Sequence, residues 1–152
     1  MKKLVDELNV IARSVYAQLK PSRVHGVGVF AIRDIRKGIE PFEDGREDGN
    51  RRFYRLPVSD LKKLPAYFVD VIKNYSVRER DFYWVSLGSW NTYSLQDFLN
   101  HSERPNMALK GNDRFVAIRN IKKGEELAAD YRTFDGSWQE KVDSGRLRAR
   151  RG

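Results

Sequence analysis

Short apolar runs separated by glycine-containing turns occupy most of this chain of 152 residues. Residues 26–32, with the sequence Gly-Val-Gly-Val-Phe-Ala-Ile, are typical of a tight turn that leads into a strand. Residues 108–110 and 115–118 flank a Gly-Asn-Asp sequence, which is a hairpin signal. Residues 35–38 and 121–124 carry similar turn sequences, Ile-Arg-Lys-Gly and Ile-Lys-Lys-Gly. The pattern therefore predicts a mostly β domain built from short strands.

Two segments with helical periodicity interrupt the β pattern. Apolar residues at spacings of four, three and four predict a helix over residues 2–13: Leu4, Leu8, Ile11 and Val15. An apolar stripe from Tyr67 to Tyr75 predicts a second helix, which we interpret as an insertion in the β domain.

Three other segments have mixed or polar patterns. Residues 43–53 are polar and highly charged, which predicts a surface loop. The aromatic and β-branched residues at 82–95 predict two short strands joined by a turn, and residues 100–106 predict a loop. We therefore expect an N-terminal helix at residues 1–14, one domain at residues 15–138 with a variable insertion at residues 43–81, and a basic C-terminal tail at residues 139–152.

Composition excludes several classes of site. The chain has no cysteine, which excludes disulfides, thiolate nucleophiles, iron–sulfur clusters and zinc sites built on cysteine. With two histidines, it is not expected to form a histidine-rich metal site. Apolar stretches are shorter than the roughly 18–20 residues of a membrane span, and acidic residues interrupt the first apolar run. We therefore expect an intracellular protein, cytoplasmic or, in a eukaryote, nuclear.

The positive charge is concentrated at one end of the chain. The formal net charge is +8, and residues 141–152 contain five basic residues and one acid. Such a tail can attract nucleic acid or an acidic protein surface through salt-sensitive forces. It can equally be a solvated, disordered terminus.

Three polar clusters contain the candidate catalytic and binding residues. They lie at residues 25–31, 98–106 and 124–131. Taken singly, each has an ordinary interpretation: a tight turn, a loop whose Asn100 and His101 satisfy nearby backbone, and a core aromatic at Tyr131.

Taken together and in this order, the clusters resemble the SET-domain family of protein lysine methyltransferases. The matching pieces are Gly-Val-Gly-Val-Phe-Ala at residues 26–31, Asn-His-Ser with Pro-Asn at residues 100–106, and Gly-Glu-Glu-Leu with Asp-Tyr at residues 124–131. Since cysteine is absent, the chain resembles the compact form that lacks cysteine-rich zinc segments. The resemblance implies a SET-type β-clip of small, mostly antiparallel sheets with a C-terminal pseudoknot, in which Asn100, His101 and Tyr131 meet.

The resemblance also implies a cofactor and a site. The cofactor would be S-adenosyl-L-methionine, converted to S-adenosyl-L-homocysteine, with no metal, and Tyr131 would be the catalytic residue. The implied cofactor-binding residues are His25, Gly26, Val27, Gly28, Asn100, His101 and Phe134. The implied walls of the substrate lysine channel are Trp84, Trp90, Tyr93, Tyr131, Phe134 and Trp138.

Three positions depart from the family pattern. Asp97 stands where an arginine is frequent, Glu103 replaces a common cysteine, and Ala129 replaces a tyrosine or phenylalanine. Ala129 could widen the pocket near the transferred methyl, so the number of methyl groups added stays open.

Three functions therefore remain open at this stage. The favoured one is methyl transfer to a lysine of a protein substrate, such as a basic or nucleic-acid-associated protein. The second is a SET-fold module that binds a peptide or cofactor without turnover. The third is direct nucleic-acid binding through the basic tail.

Overall fold

The computed structural model of the chain describes residues 2–43, 53–86, 93–111 and 114–144. The α-helices in these ranges are α1 (Lys2–Ala12), α2 (Ala66–Tyr75) and α3 (Trp138–Asp143). The strands are β1 (Ala17–Pro21), β2 (Val27–Ala31), β3 (Phe53–Pro57), β4 (Arg78–Glu79), β5 (Phe82–Ser86), β6 (Asn100–His101), β7 (Met107–Lys110), β8 (Arg114–Ala117) and β9 (Glu126–Ala129). Short 3₁₀ helices span Val58–Lys63, Leu95–Phe98 and Tyr131–Thr133. None of the helices in the described ranges combines the length and hydropathy that a membrane crossing requires.

The larger sheet brings together segments from both ends of the domain. Its strand order is β1-β2-β9-β7-β8, and β6 also pairs with β9. The pairing is antiparallel except at β9, which runs parallel to β6 and β7. The predicted mostly β fold of small sheets is confirmed. The threading of a chain segment under a loop stays a prediction.

The prediction of a loop over residues 100–106 is wrong at its first two residues. Asn100 and His101 form β6, which pairs with Ala128 and Ala129 of β9. A two-residue strand has no internal period that a sequence pattern could reveal, so the pairing depends wholly on the presence of β9.

Two turns of similar sequence pair with each other across the larger sheet. Residues 31–40 and 117–126 are identical at seven of ten positions. The backbone of Ile35 pairs with that of Ile121 through two hydrogen bonds of 2.8 Å, one in each direction. The likeness at residues 35–38 and 121–124 is therefore part of a longer internal repeat whose copies are in contact.

Two apolar clusters form the core. The first lies within the larger sheet and its paired turns, and its members are Ala17, Val29, Ala31, Ile35, Phe42, Leu99, Met107, Phe115, Ala117, Ile121, Leu127 and Ala129. The second lies between α2, the first 3₁₀ helix and the sheet β3-β5-β4, and contains Leu61, Ile72, Tyr83 and Val85. The predicted inserted helix is confirmed, although only Ile72 of its stripe is fully buried and Tyr67 is exposed.

The ends of the described chain are both helical. The predicted N-terminal helix is confirmed as α1, but Leu4, Leu8 and Ile11 of its apolar face are more than half exposed. Helix α3 occupies the start of the segment that we assigned to the basic tail, and Lys141 within it is buried. Residues 145–152 lie outside the described residues.

Two other segments are described only in part. Of the predicted loop at residues 43–53, residues 44–52 lie outside the described ranges and Phe53 begins β3. Residues 82–86 form one of the two strands predicted at 82–95, and residues 87–92 lie outside the described ranges. Leu95 begins a 3₁₀ helix instead of ending a strand, because Ser94 and Asp97 form a capping box there.

Candidate active site

Asn100 joins all three polar clusters. Its side chain is buried on β6, and its Nδ2 lies 3.2 Å from the carbonyl oxygen of His25 and 3.3 Å from that of Val27. A third acceptor, Oε1 of Glu126, lies 2.8 Å from the same nitrogen. Since all three neighbours accept hydrogen bonds, the amide nitrogen and not the amide oxygen faces them. The turn at residues 25–28 is thereby tied to β6.

Gly28 allows Glu126 to approach the backbone of the turn. A Cβ atom at residue 28 would lie 2.2 Å from Oε1 of Glu126 and 3.0 Å from Cβ of Ser22, so the Glu126 carboxylate could not keep this position beside a larger residue. The same oxygen accepts a hydrogen bond of 2.7 Å from the Ser22 hydroxyl. Gly26 has a positive φ of 46°, and a Cβ there would meet nothing within 4 Å. The two glycines therefore serve close approach at residue 28 and backbone conformation at residue 26.

His101 makes a second connection to the cluster at residues 124–131. Its Nδ1 accepts a hydrogen bond of 3.1 Å from the backbone N–H of Tyr131, so the ring proton of the neutral form is on Nε2. That Nε2 is buried and has no hydrogen-bond partner among the described residues. Burial lowers the pKa of His101 from its ordinary value, which keeps the ring neutral at pH 7.

Tyr131 places a phenol beside this pair. Its hydroxyl donates a hydrogen bond to the backbone carbonyl of Leu99, directly before Asn100 in the chain. Burial raises the pKa of the phenol well above its usual value, so the hydroxyl keeps its proton. The Asp130 side chain accepts from the N–H of Arg132 and so caps the 3₁₀ helix that begins at Tyr131.

Aromatic rings surround Tyr131 and His101. The Phe134 ring centroid lies 5.4 Å from that of Tyr131 and 5.7 Å from that of Phe115. Trp138 stacks on His101 with centroids 5.4 Å apart. Phe134 therefore contacts Tyr131, and Trp138 contacts His101, as the wall of a channel at these residues requires.

The other residues predicted for the channel have different neighbours or lie outside the described residues. Tyr93 lies against Tyr75 and Phe98 at centroid distances of 5.1 Å and 6.1 Å. Trp84 lies on β5 in the smaller sheet, where its ring contacts Phe82 and Arg55 and its Nε1 donates to Glu79. Trp90 lies outside the described residues.

A buried ion pair fixes the segment that carries Phe134 and Trp138. Nζ of Lys141 lies 2.5 Å from Oδ2 of Asp135, and both side chains are almost wholly shielded from solvent. Oδ1 of Asp135 accepts from the N–H and hydroxyl of Ser137, and Lys141 also donates to the carbonyl of Ser76. These bonds attach the chain after Tyr131 to the end of α2.

Several residues that build the site were not predicted from the sequence. Glu126 and Asn106 both lie inside motifs that the sequence analysis quoted, but their partners depend on the register of β9. The Asn106 side chain bonds the backbone of β9 on both sides, to the Glu126 oxygen and the Ala128 N–H, each at 2.8 Å. The roles of Ser22 and Asp135 have no signal in the sequence that we could identify.

The structure shows the surroundings of Asp97 and Ala129, two of the positions that differ from the family pattern. Oδ2 of Asp97 accepts a bond of 2.7 Å from the N–H of Ser94, so Asp97 caps the 3₁₀ helix before β6. Ala129 is fully buried in the first core cluster and pairs with His101 and Met107. Both residues therefore have structural roles in this chain.

A comparison with family models agrees with the motif-based resemblance. A family model described as SET domain matches residues 26–132, well over half of the chain. The structure is also similar to a crystal structure of a protein from Plasmodium falciparum that is provisionally named a histone methyltransferase. That match has a TM-score of 0.43 and 19% sequence identity, and it covers 82% of this chain and 97% of the other. No curated protein matches the sequence significantly.

Proposed function

The chain belongs to the SET-domain family, and on this basis we propose that it is an S-adenosylmethionine-dependent protein lysine N-methyltransferase. The observation that carries the proposal is the convergence of three segments that are far apart in sequence. Asn100 bonds the carbonyl groups of the turn at residues 25–28, and the adjacent His101 bonds the backbone of Tyr131. One small region thus contains a glycine turn, an amide, an imidazole and a phenol.

The residues present fit S-adenosylmethionine, which the family implies. This cofactor carries an ammonium, a carboxylate and an adenine ring, so it needs polar partners beside an aromatic surface. The buried Nε2 of His101 is a donor without a partner among the described residues, and the space beside Gly26 is open. We assign cofactor binding to the turn His25, Gly26, Val27 and Gly28, to Asn100 and His101, and to Phe134 for the aromatic surface.

When bound, the cofactor supplies a methyl group that its sulfonium already activates. Tyr131 then has an orienting role. Its hydroxyl proton is committed to the Leu99 carbonyl, so its oxygen lone pairs remain to accept a hydrogen bond from the substrate amine. Because its pKa is raised by burial, the phenol does not act as a base at neutral pH. Alignment of the amine with the methyl is the source of rate enhancement that such a site provides.

The lysine amine must be neutral when it attacks. Rings that exclude water lower the pKa of an ammonium group, because the charged form loses its solvation. Phe134 and Trp138 lie where they would do this, against Tyr131 and His101. Tyr93 and Trp84 stay predicted channel residues, with Trp84 in the smaller sheet.

The direct test is methyl transfer to protein lysines. The purified protein is incubated with S-adenosylmethionine labelled in its methyl group and with a mixture of lysine-rich basic proteins. We expect label in lysine side chains, with S-adenosylhomocysteine as the product. If the protein binds S-adenosylhomocysteine but labels no protein, the chain is a SET-fold binding module. If it binds neither S-adenosylmethionine nor S-adenosylhomocysteine, the cofactor assignment is wrong.

A further inference from the structure

We propose that Glu126 is a positioning residue for the cofactor site, an inference that rests on the proposed function. Glu126 is not expected to touch the cofactor. It acts by fixing the amide of Asn100 and the backbone of the glycine turn, the two elements to which cofactor binding is assigned.

The first step of the argument is the orientation of Asn100. Its amide nitrogen could rotate away from the turn if only the carbonyls of His25 and Val27 held it, because those contacts are 3.2 Å and 3.3 Å long. The shorter bond of 2.8 Å to Oε1 of Glu126 is a bond to a carboxylate, which is a stronger acceptor than a carbonyl. Glu126 therefore determines which side of the Asn100 amide faces the turn and which faces away.

The second step concerns the turn itself. Oε1 of Glu126 also accepts the Ser22 hydroxyl at 2.7 Å, and Ser22 Oγ in turn accepts from the N–H of Val24 at 2.9 Å. The Ser22 N–H closes the turn by bonding the Gly26 carbonyl at 2.8 Å. The Glu126 carboxylate thus contacts the turn at Ser22 and occupies the space that a Cβ atom of residue 28 would need.

The third step is a comparison within the chain. Glu40 occupies the position in the repeat at residues 31–40 that Glu126 occupies in residues 117–126. The Glu40 carboxylate pairs with the cations Lys110 and Arg114. Among the described residues, Glu126 forms no ion pair and bonds only the neutral donors Ser22 and Asn100. The two glutamates therefore have the same place in the repeat but different tasks.

The comparison provides a matched control for a binding experiment. Isothermal titration with S-adenosylhomocysteine is carried out on the wild type, Glu126→Ala, Glu126→Gln and Glu40→Ala. We expect Glu126→Ala to raise the Kd about tenfold or more, because Asn100 and Ser22 both lose a charged acceptor. Glu126→Gln keeps an acceptor oxygen and should bind between the wild type and Glu126→Ala. Glu40→Ala should bind within about twofold of the wild type, since its carboxylate pairs with Lys110 and Arg114 of the β7–β8 hairpin.

A kinetic measurement separates positioning from general loss of structure. In methyl-transfer assays, Glu126→Ala should raise the KM for S-adenosylmethionine and leave kcat within about threefold of the wild type, because the Tyr131 hydroxyl is untouched. Thermal unfolding of both alanine variants shows whether each is folded at the assay temperature.

The possible outcomes distinguish the two proposals. If the wild type does not bind S-adenosylhomocysteine, the proposed function fails. If the wild type binds and folded Glu126→Ala binds within twofold of it, the positioning role is overturned. An equal loss of affinity in Glu40→Ala and Glu126→Ala would also overturn it, because the effect would then be a loss of fold stability.

Discussion

Tyr131 contributes both a ring and a hydroxyl to the site. The proton is donated to the Leu99 carbonyl, and the ring lies between His101 and Phe134. A phenylalanine at this position would keep the ring contacts and lose only the hydroxyl bond. The hydroxyl is therefore the part of the side chain to which a chemical role can be assigned.

Replacing Tyr131 by phenylalanine should separate transfer from binding. The variant keeps the ring contacts but removes the oxygen that would orient the amine. We expect the transfer rate to fall roughly a hundredfold or more, and the Kd for S-adenosylhomocysteine to change little. The two quantities are measured by methyl labelling and by calorimetry. Turnover at the wild-type rate would remove Tyr131 from the mechanism.

His101 should make the stability of the fold sensitive to mild acid. Burial lowers its pKa below the ordinary value of 6.5, so the unfolded chain binds a proton at a pH where the folded chain does not. The free energy of unfolding should therefore decrease as the pH falls from 7 through 6.5 towards 5. Asp130 cannot produce this effect, because its pKa is lowered from 3.8 and its contribution is lost only at lower pH.

The measurement is urea unfolding of the wild type and His101→Gln across this pH range. The glutamine retains an acceptor for the Tyr131 N–H but does not titrate, so its stability should vary less with pH. His25→Gln, which replaces the other histidine of the chain, serves as the control. A wild-type slope that His101→Gln preserves would contradict the assignment.

At this scale the sequence was informative where a residue belongs to a motif and silent where its role comes from a partner. Asn100, His101 and Tyr131 were predicted as site residues from their motifs. Glu126 lies within a quoted motif too, but its task depends on Ser22, which is 104 residues away in the chain. Contacts at that separation leave no local pattern.

Among the elements, the chain after Tyr131 depends on one buried ion pair. Asp135 and Lys141 attach the segment that carries Phe134 and Trp138 to the end of α2. We counted Lys141 in the basic tail, as a surface charge. Composition alone cannot show that a lysine is buried beside an acidic partner. Helix α3 has only six residues, too few for a clear period.

Breaking this pair should be costly. Asp135→Ala leaves the Lys141 charge buried without its partner, and we expect a loss of about 3–5 kcal/mol in the free energy of unfolding. Glu140 lies on α3 with Lys141 and forms an exposed ion pair with Arg78. Glu140→Ala removes that pair and should lower the free energy of unfolding by about 1 kcal/mol or less. Urea unfolding of both variants measures the difference. Equal losses in the two variants would show that the buried pair does not hold the segment.

The strands show the same division between local and distant causes. The hairpin of β7 and β8 and the turn before β2 were predicted, because glycine and polar turn residues mark them in the sequence. Strand β6 was not, since it exists only where Asn100 and His101 meet β9. The site is built at that unpredicted strand.

For the whole molecule, the internal repeat explains how distant segments meet. The copies at residues 31–40 and 117–126 pair through Ile35 and Ile121. This pairing sets β2 beside β9, with Phe30 opposite Glu126, and β9 in turn receives β6. The mostly β fold could be predicted from the spacing of glycine turns, whereas the contact between the repeats could not, because a similarity of sequence does not show which segments touch.

The central claim is that the turn at residues 25–28, the pair at residues 100–101 and Tyr131 form one site for a sulfonium methyl donor. The most direct measurement is a crystal structure of the protein with S-adenosylhomocysteine bound. We expect the ligand against that turn and that pair, with its sulfur on the side where the Tyr131 hydroxyl lies. A ligand bound on another face of the domain, or well-ordered crystals grown with excess ligand that contain none, would contradict the account.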